Sequence, residues 1–225
     1  MLPNIFDKLT ALPLFLGMSR DEISQAVGLA KFGFHKYDKG QVIVREGEPC
    51  NQFRILTDGT ITARISAADH GYTITEELTA PSLLEPDHLF GLSQRHARTF
   101  EAADACNFVT LDKNEVLKLS EEYIIFHLNL LNIISAQSQK TCTQLFHTPS
   151  HTLEGRIVRF VAHRCLRMAG PKTVSIKMKR LAEELNDSRL DISKALNNLQ
   201  DQQLIELYRG GFRIPSFEQL LQAIR

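Results

Sequence analysis

The sequence lacks the features of membrane and secreted proteins. No run approaches the roughly 18 consecutive apolar residues of a membrane-spanning helix, and no basic segment leads into an apolar core near residue 1. Cysteines are few and far apart, which favours neither a disulfide framework nor a metal site. They are Cys50, Cys106, Cys142 and Cys165. We therefore expect a cytoplasmic protein with no membrane partner and no bound metal.

Catalytic motifs are also missing. The sequence contains no Gly-rich phosphate loop, no nucleophile motif with a base partner and no pair of metal ligands at helical spacing. His147 and His151 are four residues apart, but Pro149 lies between them, so they do not share a helix face. An enzyme is not expected.

Neither sign of charge is in excess, since 26 Lys and Arg balance 26 Asp and Glu. The distribution is uneven: residues 149–225 contain 13 basic and 8 acidic side chains, and residues 1–148 contain 13 and 18. A basic carboxy-terminal part joined to an acidic amino-terminal part is typical of a modular DNA-binding regulator.

The strongest local pattern lies near the carboxy terminus. Apolar residues at helical spacing predict a short helix from Met178 to Leu185, and Asn186-Asp187 ends it, because Asn tolerates the left-handed conformation. Ser188 can then cap a second helix from Arg189 to Gln200, with Asp191 as the acidic partner of a capping box.

The following residues predict a two-stranded hairpin, with strands at 204–207 and 212–214 and a turn at 208–211. Two short helices across a tight turn present side chains to base edges in the major groove of double-stranded DNA. We expect DNA contacts from Ser188, Arg189, Leu190, Asp191, Ser193, Lys194, Asn197 and Arg213. The alternatives are a purely structural bundle and an adaptor that uses this domain for protein contacts.

Between Lys36 and Leu111 the pattern changes to short apolar runs interrupted by glycine, as at 41–44, 53–56 and 60–65. Alternation at a period of two, with turn residues at regular intervals, predicts an antiparallel β-sandwich or roll.

Residues 114–146 predict one long helix. Its outer seam, at spacings of three and four residues, is typical of helices that pair. The seam consists of Ile124, Leu128, Leu131, Ser135, Ser138, Cys142 and Leu145. We expect a parallel homodimer along it; the alternative is a single helix packed on its own roll. Pro149 disfavours helical conformation at Thr148, so a hinge is expected at 147–150.

The carboxy-terminal segment resembles the DNA-binding domain of the Crp/Fnr superfamily of bacterial transcription regulators. The similarity runs without a gap through Leu181-Ala182-Glu183-Glu184-Leu185, Ser188-Arg189, Ile192-Ser193-Lys194-Ala195-Leu196, Leu199 and Gln203-Leu204-Ile205. Weaker similarity covers most of the chain, with Gly47 and Gly59 at the turn glycines of the family's cyclic-nucleotide-binding roll.

The resemblance implies an α+β fold in three parts. These are an amino-terminal helix with an antiparallel β-roll (jelly roll) sensor at 1–113, a dimerisation helix and hinge at 114–148, and a winged helix-turn-helix at 149–225. A palindromic operator and RNA polymerase are the implied partners of the dimer. Arg189 matches the family's guanine-reading position and Lys194 another basic DNA contact, whereas Leu190 replaces a base-contacting glutamate.

The resemblance fails where cyclic-nucleotide-binding members hold their ligand. Their Gly-Glu, whose glutamate binds the ribose, becomes Glu85-Pro86, and their Arg-Ser, whose arginine binds the cyclic phosphate, becomes His96-Ala97. Arg98-Thr99 is a suitable pair displaced by two positions, which preserves the face of a strand. Of the purine-contacting Thr-Ser, Thr141-Cys142 keeps only the threonine. We therefore expect classical cyclic AMP regulation to be lost.

Three possibilities remain open for the input: a different small effector, haem or gas sensing through a histidine such as His88 or His96, or no effector. Arg95, His96 and Arg98 favour an anion, because they offer several charge-assisted donors. The candidate pocket comprises Arg95, His96, Arg98, Thr99, Thr141 and Cys142. Cysteines do not cluster as in the superfamily's oxygen sensors, so an iron–sulfur cluster is not expected. Beyond the possibilities left open above, no cofactor is expected.

Overall fold

The computed structural model describes residues 9–146 and 152–224, and the side chains of these residues outside 140–146. The chain forms two compact units. The first contains the described segments up to Ile61 and from Leu78 to Thr143, and the second contains Thr62–Glu77 and the described residues from Gln144 onward. Among the described residues, none of the helices combines the length and apolar character needed to cross a bilayer.

The secondary structure elements are numbered in chain order. The strands are β1 (Phe32–Tyr37), β2 (Val42–Val44), β3 (Gln52–Asp58), β4 (Thr60–Ser66), β5 (Tyr72–Thr79), β6 (Ser82–Leu84), β7 (Thr99–Ala102), β8 (Cys106–Asp112), β9 (Lys172–Ile176), β10 (Glu206–Tyr208) and β11 (Gly211–Ile214). The α-helices are α1 (Arg20–Leu29), α2 (Lys113–Glu122), α3 (Ile124–Phe146), α4 (Leu153–Ala162), α5 (Met178–Leu185), α6 (Arg189–Asp201) and α7 (Phe217–Ala223). Short 3₁₀ helices cover Pro13–Phe15 and Pro86–His88.

The first unit is a β-roll with helices against one sheet. Its four-stranded antiparallel sheet has the order β1-β8-β3-β6, and β2 pairs antiparallel with β7. Apolar side chains of α1, α2 and α3 share one core with the sheet, among them Ile23, Leu119 and Phe126. The expected α+β fold with antiparallel sheets is confirmed.

Gly59 makes the tight connection between β3 and β4 possible. Its φ is +89°, and a Cβ atom there would lie 2.6 Å from the carbonyl oxygen of Ala105 and 2.8 Å from Cβ of Cys106. The turn therefore needs glycine for its backbone conformation and for the close approach of the neighbouring chain.

We expect Gly59→Ala to destabilise the protein more than Gly40→Ala. Gly40 also has a positive φ, +83°, but a Cβ there would meet nothing within 4 Å. The control should lose about 1–2 kcal/mol for the left-handed backbone, and Gly59→Ala about 1–3 kcal/mol more for overpacking. Urea unfolding curves measure both, and equal losses would contradict the steric argument.

The long helical region is interrupted, so the prediction of one continuous helix from Asn114 to Phe146 is wrong. Tyr123 is extended, with φ −119° and ψ 103°, and separates α2 from α3. The carbonyl of Ser120, which would accept from the amide of residue 124 in a continuous helix, instead lies 3.2 Å from Nδ1 of His127. The predicted seam lies entirely within α3, and the predicted hinge at 147–150 lies outside the described residues.

The second unit is built on a sheet that the sequence did not predict. Its strand order is β10-β11-β9-β5-β4, so part of the hairpin assigned to the roll extends the carboxy-terminal sheet. β5 and β9 pair antiparallel from Tyr72 opposite Ile176 to Glu76 opposite Lys172. Helices α4 to α7 supply most of the remaining apolar core of this unit.

A buried ion pair joins the two strands. The side chain of Lys172 is 0% exposed, and its Nζ donates to Glu76 Oε2 at 2.9 Å and to the carbonyl of Ala169 at 3.0 Å. The carboxylate of Glu76 also accepts from the backbone N–H groups of Leu166 at 2.6 Å and Arg167 at 3.1 Å. Because both charges are paired and hydrogen-bonded, they can be buried here.

Aromatic contacts extend this attachment. Arg164 donates from Nε to the hydroxyl of Tyr72 at 2.7 Å, and its guanidinium lies 4.0 Å from the ring centre of Phe160. Nearer the tip of the hairpin formed by β4 and β5, Arg180 of α5 forms an ion pair with Asp69 at 3.0 Å.

We expect Lys172→Met to lower the free energy of unfolding by about 3–5 kcal/mol, because it leaves the buried Glu76 carboxylate without its counter-ion. The control is Lys179→Met, since Lys179 is 78% exposed and pairs with Glu183 at 3.8 Å. That change should cost less than about 1 kcal/mol. Hydrogen exchange at the amides of Leu166 and Arg167 reports the effect locally, and unchanged exchange in Lys172→Met would contradict it.

Candidate functional site

Helices α5 and α6 are joined by a turn with defined contacts. The predicted bounds of α5 are confirmed, and α6 ends one residue later than expected. Asn186 adopts the left-handed conformation, with φ 49° and ψ 54°. From α4, Arg156 donates to the carbonyl of Leu185 at 3.1 Å and forms an ion pair with Asp187. The guanidinium thus ties the end of α5 to the turn, and α4 sets its position.

Ser188 caps α6 as predicted. The second hydrogen bond of a capping box, from the Ser188 amide to the Asp191 side chain, is replaced by another contact. Its hydroxyl oxygen accepts from the amide of Asp191 at 3.1 Å and donates to a carboxylate oxygen of Asp191 at 2.7 Å. The amide of Ser188 donates to Asp187 at 2.8 Å instead. The pKa of Asp191 is lowered mainly by the hydrogen bond from Ser188 and, to a smaller extent, by the hydrogen bond from Lys194. An ionised carboxylate at this helix start is favourable for the helix dipole.

One face of α6 is buried and the opposite face is open. Ile192, Leu196 and Leu199 are at most 2% exposed, as expected from their spacing. Most of the predicted DNA-contacting residues lie on the open face, and Ser193 is half-buried. The exposed ones on this helix and its cap are Ser188, Arg189, Leu190, Asp191, Lys194 and Asn197. Lys194 lies 3.3 Å from Asp191, so this face carries a mixed charge pattern.

The hairpin of β10 and β11 has a two-residue turn at Arg209-Gly210. A Cβ at Gly211 would lie 2.0 Å from the carbonyl oxygen of Val174 and 2.6 Å from the hydroxyl of Tyr208. This glycine lets Tyr208 reach across to donate to the carbonyl of Val174 at 3.1 Å.

Arg209 and Arg213 occupy different places on this hairpin. Arg209 is exposed at the turn, whereas Arg213 is exposed in β11 opposite Thr173 of β9. Arg213 lines an open groove of about 290 Å³ with Glu77 and Thr75 of β5. Both positions agree with the sequence-based prediction, which put Arg209 in the turn at 208–211 and Arg213 in the strand that follows it.

The first unit brings part of the candidate effector pocket together. Arg95 donates to the carbonyl of Gly47 at 2.7 Å, and its own carbonyl lies 2.8 Å from Nδ1 of His88. Thr99 accepts from the amide of Glu46 at 3.1 Å. These residues therefore hold the loop after β2 in place.

His96 and Arg98 converge on Glu85. The carboxylate of Glu85 lies 3.0 Å from His96 Nδ1, accepts from the amide of Ala97 at 3.2 Å and pairs with Arg98 at 3.3 Å. The side chains of Glu85 and His96 are each 1% exposed. Thr141 and Cys142, the remaining predicted members, have side chains outside the described residues.

Burial raises the pKa of the Cys50 thiol to about 11, with the charge of Glu85 as the next cause. Cys50 is therefore a neutral thiol at physiological pH, unlike a thiolate metal ligand or nucleophile. Across the residues that the structure describes, no group of three His, Cys, Asp or Glu side chains is placed to hold a metal ion.

The predicted seam of α3 faces away from the core. Ile124, Leu128 and Leu131 are 69%, 50% and 49% exposed, and Ser135 and Ser138 are exposed as well. The side chains of Cys142 and Leu145 lie outside the described residues. Leu16 is also 66% exposed, and its carbonyl accepts from the side chain of Asn129 in α3 at 2.8 Å.

Comparison with known proteins finds similarities in the amino-terminal part and in the fold. Residues 34–123 match the family model of the cyclic nucleotide-binding domain. Over 95% of this chain and 98% of the other, the fold is similar to that of the catabolite activator protein of Thermus thermophilus, with a TM-score of 0.55 and 17% identity. No curated protein has a significant sequence match to this chain.

A second solved structure covers the amino-terminal part. The amino-terminal domain of a transcriptional regulator from Streptomyces coelicolor A3(2) matches 65% of this chain over 100% of its own length, with a TM-score of 0.51 and 16% identity. The β-roll is thus of the cyclic nucleotide-binding type, and these similarities show the fold.

Proposed function

We propose that this chain is a non-enzymatic, DNA-binding transcription regulator of the Crp/Fnr type. It acts as a homodimer on a palindromic operator, with RNA polymerase as a further partner and without classical control by cyclic AMP. The observation that carries the proposal is the pair α5 and α6, whose turn is held by Arg156 while the polar face of α6 stays open.

This face suits the major groove. A recognition helix places residues of its amino-terminal half on base edges, and Arg189 is the first residue of α6. Arginine makes bidentate hydrogen bonds with guanine, and the exposed Leu190 can make an apolar contact with a thymine methyl. The Arg156–Asp187 pair supports this by fixing the angle at which α6 leaves the turn.

The exposed seam of α3 supports the proposed dimer. Three large apolar side chains on one face of a helix lose water contact when a second copy packs against them. Their spacing is that of a paired helix, which favours an identical partner. Two-fold symmetry then implies half-sites about one helical turn, roughly 34 Å, apart.

An adaptor that binds protein through α6 is the second candidate. Leu190 is 66% exposed, and the ammonium group of Lys194 lies beside Asp191, which reduces the positive charge that DNA would meet. Selection of bound DNA from a random pool separates the two functions, since only the regulator enriches a palindromic motif. The absence of any enriched motif would contradict the proposed regulator.

We expect Arg189→Ala to cost about 1–3 kcal/mol in binding to the selected site and to relax the preference at one base position. Arg209→Ala, at the hairpin turn, should weaken binding to all sequences similarly and reduce the salt dependence, because a phosphate contact carries no sequence information. Fluorescence anisotropy with matched and mismatched duplexes measures both. Arg45→Ala, an exposed change in the β-roll, is the control that should leave binding unchanged.

We expect Leu128→Glu to convert the dimer into a monomer, because it places a charge in the apolar seam. Leu117→Glu is the matched control, since Leu117 is 43% exposed on α2 and lies outside the seam. Sedimentation velocity measures the oligomeric state of both. A Leu128→Glu protein that sediments as wild type would argue against this interface.

A further inference from the structure

The β-roll contains a buried carboxylate surrounded by groups that bind anions. The Glu85 side chain is 1% exposed, and its carboxylate meets the backbone N–H of Ala97, the imidazole of His96 and the guanidinium of Arg98. The three contacts are 3.2, 3.0 and 3.3 Å long. A peptide N–H, an imidazole and a guanidinium are also the donors with which proteins bind phosphate.

We infer that Glu85 is a built-in anion, which fills the anion site of this β-roll and excludes an external phosphate from it. An ionised carboxylate supplies the negative charge that the surrounding donors require. A phosphate ester entering the same position would have to displace Glu85, because two anions cannot share one buried set of donors.

The backbone at Glu85 supports this assignment. Its φ of 39° and ψ of 58° lie in the left-handed region, which glycine adopts without cost and other residues rarely occupy. Pro86 follows directly and begins the 3₁₀ helix, in which the amide of His88 donates to the carbonyl of Glu85 at 3.1 Å. The chain thus holds an unfavourable backbone conformation at the residue whose side chain occupies the donor set, as expected where the surroundings impose it.

The two ring nitrogens of His96 have different surroundings. Nδ1 faces Glu85, while Nε2 is buried without a hydrogen-bond partner among the described residues. The ring therefore contacts the Glu85 carboxylate through Nδ1, one of the three donors gathered around it.

The pocket is therefore latent rather than lost. Arg95, a member of the predicted anion pocket, is engaged with the carbonyl of Gly47 and takes no part in the cluster. His96 and Arg98 do belong to it, but their present ligand is the chain's own Glu85. The inference concerns the β-roll alone and does not require DNA binding, so it and the proposed regulator can fail separately.

The test removes the built-in anion from the full-length chain. Glu85→Gly deletes the carboxylate and suits the left-handed backbone, and we expect it to bind inorganic phosphate at least about tenfold more tightly than wild type, which corresponds to about 1.4 kcal/mol. Arg98→Ala added to Glu85→Gly should abolish the gain. Glu46→Gly, the loss of an exposed glutamate in the same roll, is the control and should behave as wild type. Isothermal titration with phosphate, and separately with cyclic AMP, measures the four proteins.

The outcomes decide the inference in either direction. A wild-type chain that binds phosphate or cyclic AMP in an Arg98-dependent way would overturn it, as would a folded Glu85→Gly protein without the gain. If Glu85→Gly does not fold, Glu85→Gln keeps the side-chain size without the charge. Phosphate should then raise the unfolding temperature of Glu85→Gln but not that of wild type, and an equal response of both proteins would refute the inference. Recovery of the folded state of Glu85→Gly on addition of phosphate would support it, whereas no recovery together with no shift in Glu85→Gln would refute it.

Discussion

The second unit depends on the pairing of β5 with β9 and on the ion pair between Glu76 and Lys172 within it. Burying either charge alone would be unfavourable, but together they satisfy one another and two backbone amides of the segment after α4. Because backbone pairing and a buried charge pair act at the same place, the hairpin is a structural part of the sheet that supports α5 and α6. It is therefore more than a surface loop.

The two buried glutamates, Glu76 and Glu85, are both surrounded by hydrogen-bond donors but have different roles. Glu76 joins strands that are far apart in sequence, whereas Glu85 meets donors that lie within 13 residues of it. In the first case the carboxylate organises a fold, and in the second it occupies a site that could receive another anion. What distinguishes them is the backbone, since of the two only Glu85 has a left-handed conformation.

Local patterns predicted local structure well. The bounds of α5, the cap at Ser188 and the burial of Ile192, Leu196 and Leu199 depend on interactions within a few residues, which periodicity and capping chemistry encode. The break at Tyr123 escaped prediction because apolar spacing continues across it. A side-chain contact from His127 to the carbonyl of Ser120 accompanies the interruption, and spacing alone carries no signal of that contact.

By itself, the sequence determined the short helices and strands, the turn glycines and the outward face of α6, because each follows from backbone preference or from periodic burial. The tertiary structure alone decided that the segment 62–77 belongs to the carboxy-terminal sheet and that His96 and Arg98 surround Glu85. Which strands pair depends on how well segments far apart in sequence pack together, as β5 and β9 do. In the same way, the loss of the ligand-binding motif at positions 85–86 and 96–97 does not show which group, here Glu85, occupies the donors that remain.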